Sequence, residues 1–211
     1  MTVLICALVA GAAAWALTGF MRRSATSDAP ILHSWLHVAV AAVLGGLAGL
    51  ASSGAEMAVF VVLAVASGLL TVIDFAEERL PDVIVLPLLG ITAVLLTVTA
   101  WITGEWGSLL RAGIAAAVLF VLYFVMMIFS PDLGFADVKL IAIAGLFMGW
   151  FGWGAVVMGA CLGWVSYAIP GFARMFRTTK GERGSLPLGP FIILGSVLGV
   201  CGMAYAALSF A

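Results

Sequence analysis

Long apolar stretches alternate with short polar segments along the whole chain. Most of them approach the roughly 20 residues that an α-helix needs to cross the hydrocarbon core of a bilayer, and each is apolar on all sides, as expected in lipid. The pattern predicts eight membrane-spanning helices, at residues 2–21, 35–51, 57–73, 83–102, 109–129, 138–150, 154–173 and 188–208. The sixth is short and is expected to be tilted or partly re-entrant. We therefore expect an all-α fold, a polytopic transmembrane helix bundle forming a single domain over residues 1–211.

The amino-acid composition agrees with this pattern. Hydrophobic residues make up 64% of the 211 residues and charged residues 9%, and the mean hydropathy is +1.25. A soluble domain carries about 25% charged residues, so this chain has too little polar surface to cover a water-soluble globule. The composition excludes a soluble enzyme, a fibre and a nucleic-acid binder. Cys6, Cys161 and Cys201 lie far apart in apolar runs, and we interpret them as small core residues rather than a disulfide or zinc site.

Small residues recur four positions apart within several predicted spans. The pairs are Gly45 and Gly49, Gly145 and Gly149, Gly159 and Gly163, and Gly195 and Gly199. This spacing lets helix backbones approach closely, so we expect these glycines at helix–helix contacts.

The basic residues are distributed unevenly between the two faces of the predicted bundle. Eight spans place the loops 22–34, 74–82, 130–139 and 174–187 on one face, and the basic residues of that face are Arg22, Arg23, Arg79, Lys139, Arg174, Arg177, Lys180 and Arg183. The opposite face has only Arg111. The positive-inside rule makes the first face cytoplasmic and places both termini outside. Because Arg22 and Arg23 follow the first apolar run, we expect a retained span there rather than a cleaved signal peptide.

The acidic residues lie at the ends of the predicted spans, and none lies at a bilayer midplane. Asp74 directly follows the apolar run 69–73, and Asp137 directly precedes the run 138–143, so both are expected at the membrane boundary on the cytoplasmic face. One interpretation is structural, with Asp137 as a helix N-cap and Asp74 as a solvated residue that closes a span. Charge placement by itself favours this interpretation.

The second interpretation is chemical. If Asp74 and Asp137 face each other, the two close carboxylates share a proton because they cannot both be ionised. One then acts as general base on a water molecule, and the other polarises a peptide carbonyl, which requires neither a metal ion nor a covalent intermediate. Other arrangements have less support: His33 and His37 have no accompanying metal-ligand motif, and neither a Gly-x-Ser-x-Gly motif nor a P-loop occurs. We interpret the His pair as an interfacial feature at the start of the second span.

Three segments resemble the type IV prepilin leader peptidase family. Residues 74–82 (DFAEERLPD) resemble its first aspartate motif, in which an aspartate ends a span and a proline starts the next helix. Residues 134–140 (GFADVKL) resemble its Gly-x-Gly-Asp signature, and residues 186–191 (LPLGPF) resemble the segment that opens its last helix. The three segments occur in the family's order and on the face expected to be cytoplasmic.

The resemblance implies a membrane aspartic endopeptidase without a cofactor or metal, in the short form that lacks the cysteine-bearing amino-terminal domain. Asp74 and Asp137 match its catalytic pair. The implied substrate is a prepilin or pseudopilin, whose short basic leader is removed at the cytoplasmic face of the bacterial inner membrane. The expected partners are therefore this substrate, with its apolar helix, and the lipid bilayer, and no nucleic acid.

Nine further residues are expected to contact the substrate. They are Glu77, Glu78, Asp82, Gly134, Ala136, Lys139, Pro187, Gly189 and Pro190. The three acids among them would attract the basic leader, although salt screening limits such attraction. The alternative is that these acids are ordinary solvated loop charges.

The sequence departs from the family's pattern in two places. Ala136 occupies the position of the signature's second glycine. A left-handed backbone there would cost alanine roughly 1–2 kcal/mol, whereas a simple requirement for a small side chain would cost nothing. Longer family members carry paired cysteines and methylate the new amino terminus, but segment 22–34 has no cysteine, so we do not expect methyltransferase activity.

Two other functions remain open for such a helix bundle. A small transporter or channel would have polar groups at midplane depth or interrupted spans in repeated halves. A non-catalytic assembly protein would tolerate changes at Asp74 and Asp137.

Overall fold

The fold is all-α, as the sequence predicts. The computed structural model describes residues 1–51, 54–130, 133–177 and 186–209. Within these ranges the α-helices are α1 (Thr2–Ala16), α2 (Thr18–Ser24), α3 (Leu36–Ala51), α4 (Glu56–Glu77), α5 (Asp82–Thr103), α6 (Trp106–Phe129), α7 (Phe135–Phe151), α8 (Trp153–Arg177) and α9 (Gly189–Ser209). A short 3-10 helix, Pro30–His33, precedes α3. Most of the predicted basic loop 174–187, including Lys180, Glu182 and Arg183, lies outside the described residues, as does Asp132.

Every segment predicted to span the membrane is helical, but the helices differ in length. Among the described residues, α4, α5, α6, α8 and α9 are long and apolar enough to cross a bilayer. The pair α1 and α2 meets the same criteria together, with a bend of 50° between them. The remaining two, α3 with 16 residues and α7 with 17, rise only about 24–26 Å at 1.5 Å per residue, less than the ~30 Å hydrocarbon core. The chain is thus a helical integral membrane protein, and its described residues form five or six helices of full span length, where the sequence predicts eight spans.

The chain divides into two compact units, Met1–Leu110 and Arg111–Ala211. In the first unit α1 packs antiparallel to α3, and the contact depends on glycine. A Cβ atom on Gly49 would lie 2.9 Å from the Cα of Val3, and one on Gly45 would lie 2.7 Å from the carbonyl oxygen of Cys6. Because no side chain separates the helices at these positions, the two backbones approach closely.

Two helix pairs in the second unit also pack closely through glycine residues. A Cβ atom on Gly145 would lie 2.7 Å from the Cα of Ala116, and α7 thereby packs tightly on α6. A Cβ atom on Gly199 would lie 2.6 Å from the Cα of Gly159, which brings α9 against α8. The four-residue glycine spacing in the sequence therefore marks real helix–helix contacts in both units.

His37 lies in the first turn of α3, and the structure adds that it is buried. Its side chain is buried, with Nε2 2.9 Å from the Thr18 hydroxyl and Nδ1 3.2 Å from the Ser34 carbonyl oxygen. The imidazole thus joins the start of α2 to the segment that precedes α3. Among the cysteines, Cys6 is buried as predicted, whereas Cys161 is exposed on the surface of α8.

Candidate active site

Asp74 lies in the last turn of α4, in the first unit. Its side chain is 3% exposed, because the preceding turn of α4 is apolar and buried. The helix is ended by Glu78, which adopts a left-handed conformation (φ 51°, ψ 34°) and donates its backbone N–H to the Asp74 carbonyl oxygen at 2.8 Å. Pro81 then caps the start of α5. Asp74 is therefore a buried carboxyl at a helix carboxyl terminus, and not the solvated residue of the structural interpretation.

Glu77 binds a loop of the same unit. Its Oε1 accepts hydrogen bonds from the backbone N–H groups of Thr26 and Ser27, the latter at 2.7 Å. Its Oε2 accepts a hydrogen bond from the Thr26 hydroxyl at 3.0 Å. These bonds hold the loop between α2 and the 3-10 helix against the end of α4 that carries Asp74. The other two predicted leader-attracting acids, Glu78 and Asp82, are exposed at that end.

Asp137 lies at the amino terminus of α7, in the second unit. The N-cap of this helix is Gly134, which has an extended backbone (φ −83°, ψ 151°). Asp137 is therefore the third helical residue rather than the N-cap itself. Its Oδ2 accepts a hydrogen bond from the Gly134 N–H at 3.1 Å, and its own N–H donates to the Gly134 carbonyl oxygen at 3.1 Å. The carboxylate is thus partly buried and fixed to the first turn of its helix.

The two small residues of the signature have different roles. A Cβ atom on Gly134 would lie 3.3 Å from Asp137 Oδ2, so glycine leaves room for the carboxylate. Ala136 belongs to the first turn of α7, and the non-glycine residue with a positive φ in the described part of the chain is Glu78. Alanine therefore fits position 136 without the left-handed penalty.

Two other side chains of the second motif, Phe135 and Lys139, contact each other at the start of α7. The Lys139 ammonium lies 4.6 Å from the centre of the Phe135 ring, a cation–π distance. Phe135 itself contacts the rings of Phe120 and Phe124 on α6, at 6.4 and 6.2 Å between ring centres. Lys139 is therefore held at the same helix end as Asp137.

The third motif forms the start of α9. Pro187, Gly189 and the residue between them are buried, while Pro190 is half-buried. Phe191, which directly follows, lies 5.7 Å from the Tyr167 ring on α8. The segment is thus a packed helix entry in the second unit, and its backbone is enclosed rather than presented as an open loop.

Tyr123 on α6 is a buried polar residue that the sequence did not reveal. Its side chain is 2% exposed, and its ring centre lies 5.8 Å from that of Trp164 on α8. A helical repeat of small and apolar residues leads along α6 to Tyr123, so periodicity marks it as a core position but gives no indication of a polar role. The described residues contain no cluster of three or more His, Cys, Asp or Glu side chains able to hold a metal ion.

Comparison with known proteins matches residues 59–169 to the type IV leader peptidase family. The chain is 30% identical over 139 residues to the prepilin leader peptidase/N-methyltransferase of Escherichia coli K12, covering 64% of this chain and 59% of that protein. It is 32% identical over 158 residues to the protein of the same name from Burkholderia pseudomallei 1026b, covering 72% and 48%. No solved structure matches the chain significantly.

The chain spans about half the length of the curated relatives that it matches. The family match includes both Asp74 and Asp137 and covers more than half of the 211 residues. The chain belongs to the type IV leader peptidase family.

Proposed function

We propose that the protein is an aspartic endopeptidase that removes the basic leader from prepilin or pseudopilin precursors, with Asp74 and Asp137 as its catalytic pair. The observation that carries the proposal is the family match over residues 59–169, which contains both aspartates. The names of the two relatives supply the substrate class. The motifs around both aspartates also occur in the family's order.

In the proposed reaction the two carboxyl groups share one proton. The ionised carboxylate removes a proton from a water molecule, whose oxygen attacks the carbonyl carbon of the scissile peptide. The protonated carboxyl donates its proton to the carbonyl oxygen as the tetrahedral intermediate forms. Collapse of the intermediate breaks the C–N bond: the amide nitrogen leaves with the proton that the general base had taken, and a hydroxyl of the intermediate returns a proton to the other carboxylate, which restores the pair. The products are the free leader and a new amino terminus.

The helix ends suggest which aspartate takes which role. Asp137 lies at the amino terminus of α7 and accepts the Gly134 N–H, where the helix dipole favours a negative charge. Asp74 is buried in the last turn of α4, where the dipole has the opposite sign and favours the neutral acid. We assign the general base to Asp137 and the protonated partner to Asp74.

The proposed topology has eight spans, with both termini outside and the two aspartate motifs at the cytoplasmic face of the inner membrane. The uneven distribution of basic residues supports it. Arg111, the basic residue assigned to the outer face, has a structural reason to be there. It donates hydrogen bonds from Nε to the Gly149 carbonyl oxygen at 2.7 Å and from Nη2 to the Trp150 carbonyl oxygen at 2.6 Å, and so caps the carboxyl end of α7.

We propose that the bilayer positions the substrate and that exposed acids attract its basic leader. The apolar helix of the precursor stays in the membrane, which brings the leader junction to the membrane boundary. Glu78 and Asp82 are exposed at the end of α4 and the start of α5, where they attract the basic leader. Residues of the second and third motifs, Lys139 and Pro190 among them, are proposed to line the path of the scissile segment.

The test is co-expression of the protein with a prepilin, followed by mass spectrometry of the pilin amino terminus. We expect Asp74→Asn and Asp137→Asn each to abolish leader removal, while both variants still accumulate in the membrane fraction. Asp28→Asn is the matched control, because Asp28 is an exposed acid on the same predicted face, and it is expected to process normally. Normal processing by both site variants would reject the catalytic pair.

A further inference from the structure

A stripe of buried residues on α6 leads to Tyr123. Its members recur at helical spacing and are Ala112, Ala115, Ala116, Leu119 and Tyr123. All but the last are small or aliphatic, so Tyr123 brings the one hydroxyl of the stripe into the interior of the second unit. A buried phenol needs a polar partner, and the packing of α6 identifies two groups near it.

The first group is the Asp137 carboxylate, and the register of α6 against α7 indicates its position. Gly149 packs on Ala112 and Gly145 packs on Ala116, each with a potential Cβ contact of 2.7 Å, so the two helices run antiparallel. Moving along α6 from Ala116 to Tyr123 therefore moves along α7 from Gly145 to Val138. Tyr123 thus lies level with the residue that directly follows Asp137.

The aromatic contacts at this end of the two helices agree with the register. Phe124, the neighbour of Tyr123, lies 6.2 Å from Phe135 in the first turn of α7. The register and this ring contact therefore place Tyr123 at the end of α6 that packs beside the start of α7, which carries Asp137.

The second group is Trp164 on α8. Its ring centre lies 5.8 Å from that of Tyr123, with the two ring planes tilted by 40°. Trp164 contacts Tyr167 at 6.1 Å, and Tyr167 contacts Phe191 at 5.7 Å, so the tyrosine is anchored to both α8 and the start of α9.

On the basis of the proposed peptidase function, we infer that Tyr123 is a positioning residue for Asp137. Its hydroxyl donates a hydrogen bond to the Asp137 carboxylate and holds that carboxylate towards the attacking water. The Gly134 N–H fixes the carboxylate from the backbone side, and Tyr123 fixes it from the bundle interior. Trp164 packs against the Tyr123 ring and restricts its position.

The experiment compares Tyr123→Phe and Trp164→Phe with the unmodified protein in purified form. Hydrogen bonds to charged groups contribute more than neutral ones, so we expect Tyr123→Phe to lower kcat about ten- to a hundredfold, with KM changed less than about twofold. Trp164→Phe is expected to lower kcat by a smaller factor. The double variant is expected to be no slower than Tyr123→Phe, since both changes act through one hydroxyl.

Tyr205→Phe is the matched control, because Tyr205 is 75% exposed near the end of α9, and it is expected to keep full activity. A second readout is the infrared band of the Asp137 carboxyl in the substrate-free protein, identified by its loss in Asp137→Asn. Tyr123→Phe is expected to shift this band and Tyr205→Phe to leave it in place.

An unchanged band in Tyr123→Phe would overturn the inference, as would a shifted band with unchanged kcat. If the unmodified protein cleaves no prepilin, the proposed function fails, whereas the band shift still decides whether Tyr123 bonds to Asp137.

Discussion

Replacing Gly134 with alanine tests how the second motif holds its aspartate. The backbone conformation of Gly134 (φ −83°, ψ 151°) is open to any residue, so the change introduces no backbone strain. The new Cβ atom, however, would lie 3.3 Å from Asp137 Oδ2, closer than an ordinary contact of about 3.5–4.0 Å. The carboxylate is the more mobile partner and is expected to withdraw by a few tenths of an ångström.

The size of the effect follows from the hydrogen bond that this movement weakens. The bond from the Gly134 N–H to Asp137 Oδ2 is 3.1 Å long, near the upper end of the usual range of about 2.7–3.2 Å, so a small withdrawal breaks it. Loss of the bond, together with a poorer N-cap, is expected to lower the free energy of unfolding by about 1 kcal/mol. Because a misplacement of ~1 Å at a reacting group costs up to about 100-fold in rate, we expect kcat to fall about three- to tenfold.

The assay is leader removal from a purified prepilin in detergent, with thermal unfolding of the same samples. Gly107→Ala is the matched control. It also adds one methyl group at the start of a helix, but nothing lies within 4 Å of its Cβ position, so kcat is expected to stay within about twofold. Full activity of Gly134→Ala, or an equal loss in Gly107→Ala, would refute this account of the signature.

Two further predictions concern the elements that support the aspartates. Glu77→Ala removes the three hydrogen bonds to the loop 25–29 and is expected to increase its cleavage by limited proteolysis, whereas Glu78→Ala is expected to leave it unchanged; equal cleavage in both would contradict the loop-holding role. Gly145→Ala forces α7 away from α6 and is expected to destabilise the second unit by about 1–3 kcal/mol in detergent unfolding. Gly113→Ala, with open space around its Cβ position, is the neutral control, and equal stability of the two variants would disprove close packing at Gly145.

In the first motif, the local sequence predicts where the helices end and start, whereas tertiary contacts decide what each acid binds. The order of residues 74–82 predicts that a helix ends near Asp74 and another starts after Pro81, and α4 and α5 do so. Hydropathy treats Glu77 and Glu78 as equivalent loop acids. The fold distinguishes them, because Thr26 and Ser27 come from a loop about 50 positions earlier in the chain, and no local pattern indicates that this loop folds back onto α4.

The sequence by itself determined the all-helical fold, the membrane location, the glycine contacts and the motifs of the family. Helix formation is decided by hydrogen bonds between residues close in sequence and by the exclusion of water from apolar side chains, both of which can be inferred from the order of residues. The tertiary structure alone decided that His37 is buried, that Glu77 binds a loop and that Tyr123 is buried against Trp164. These features depend on which distant side chains are brought together when helices pack, and hydropathy gives a buried, hydrogen-bonded polar group the same value as a solvated one.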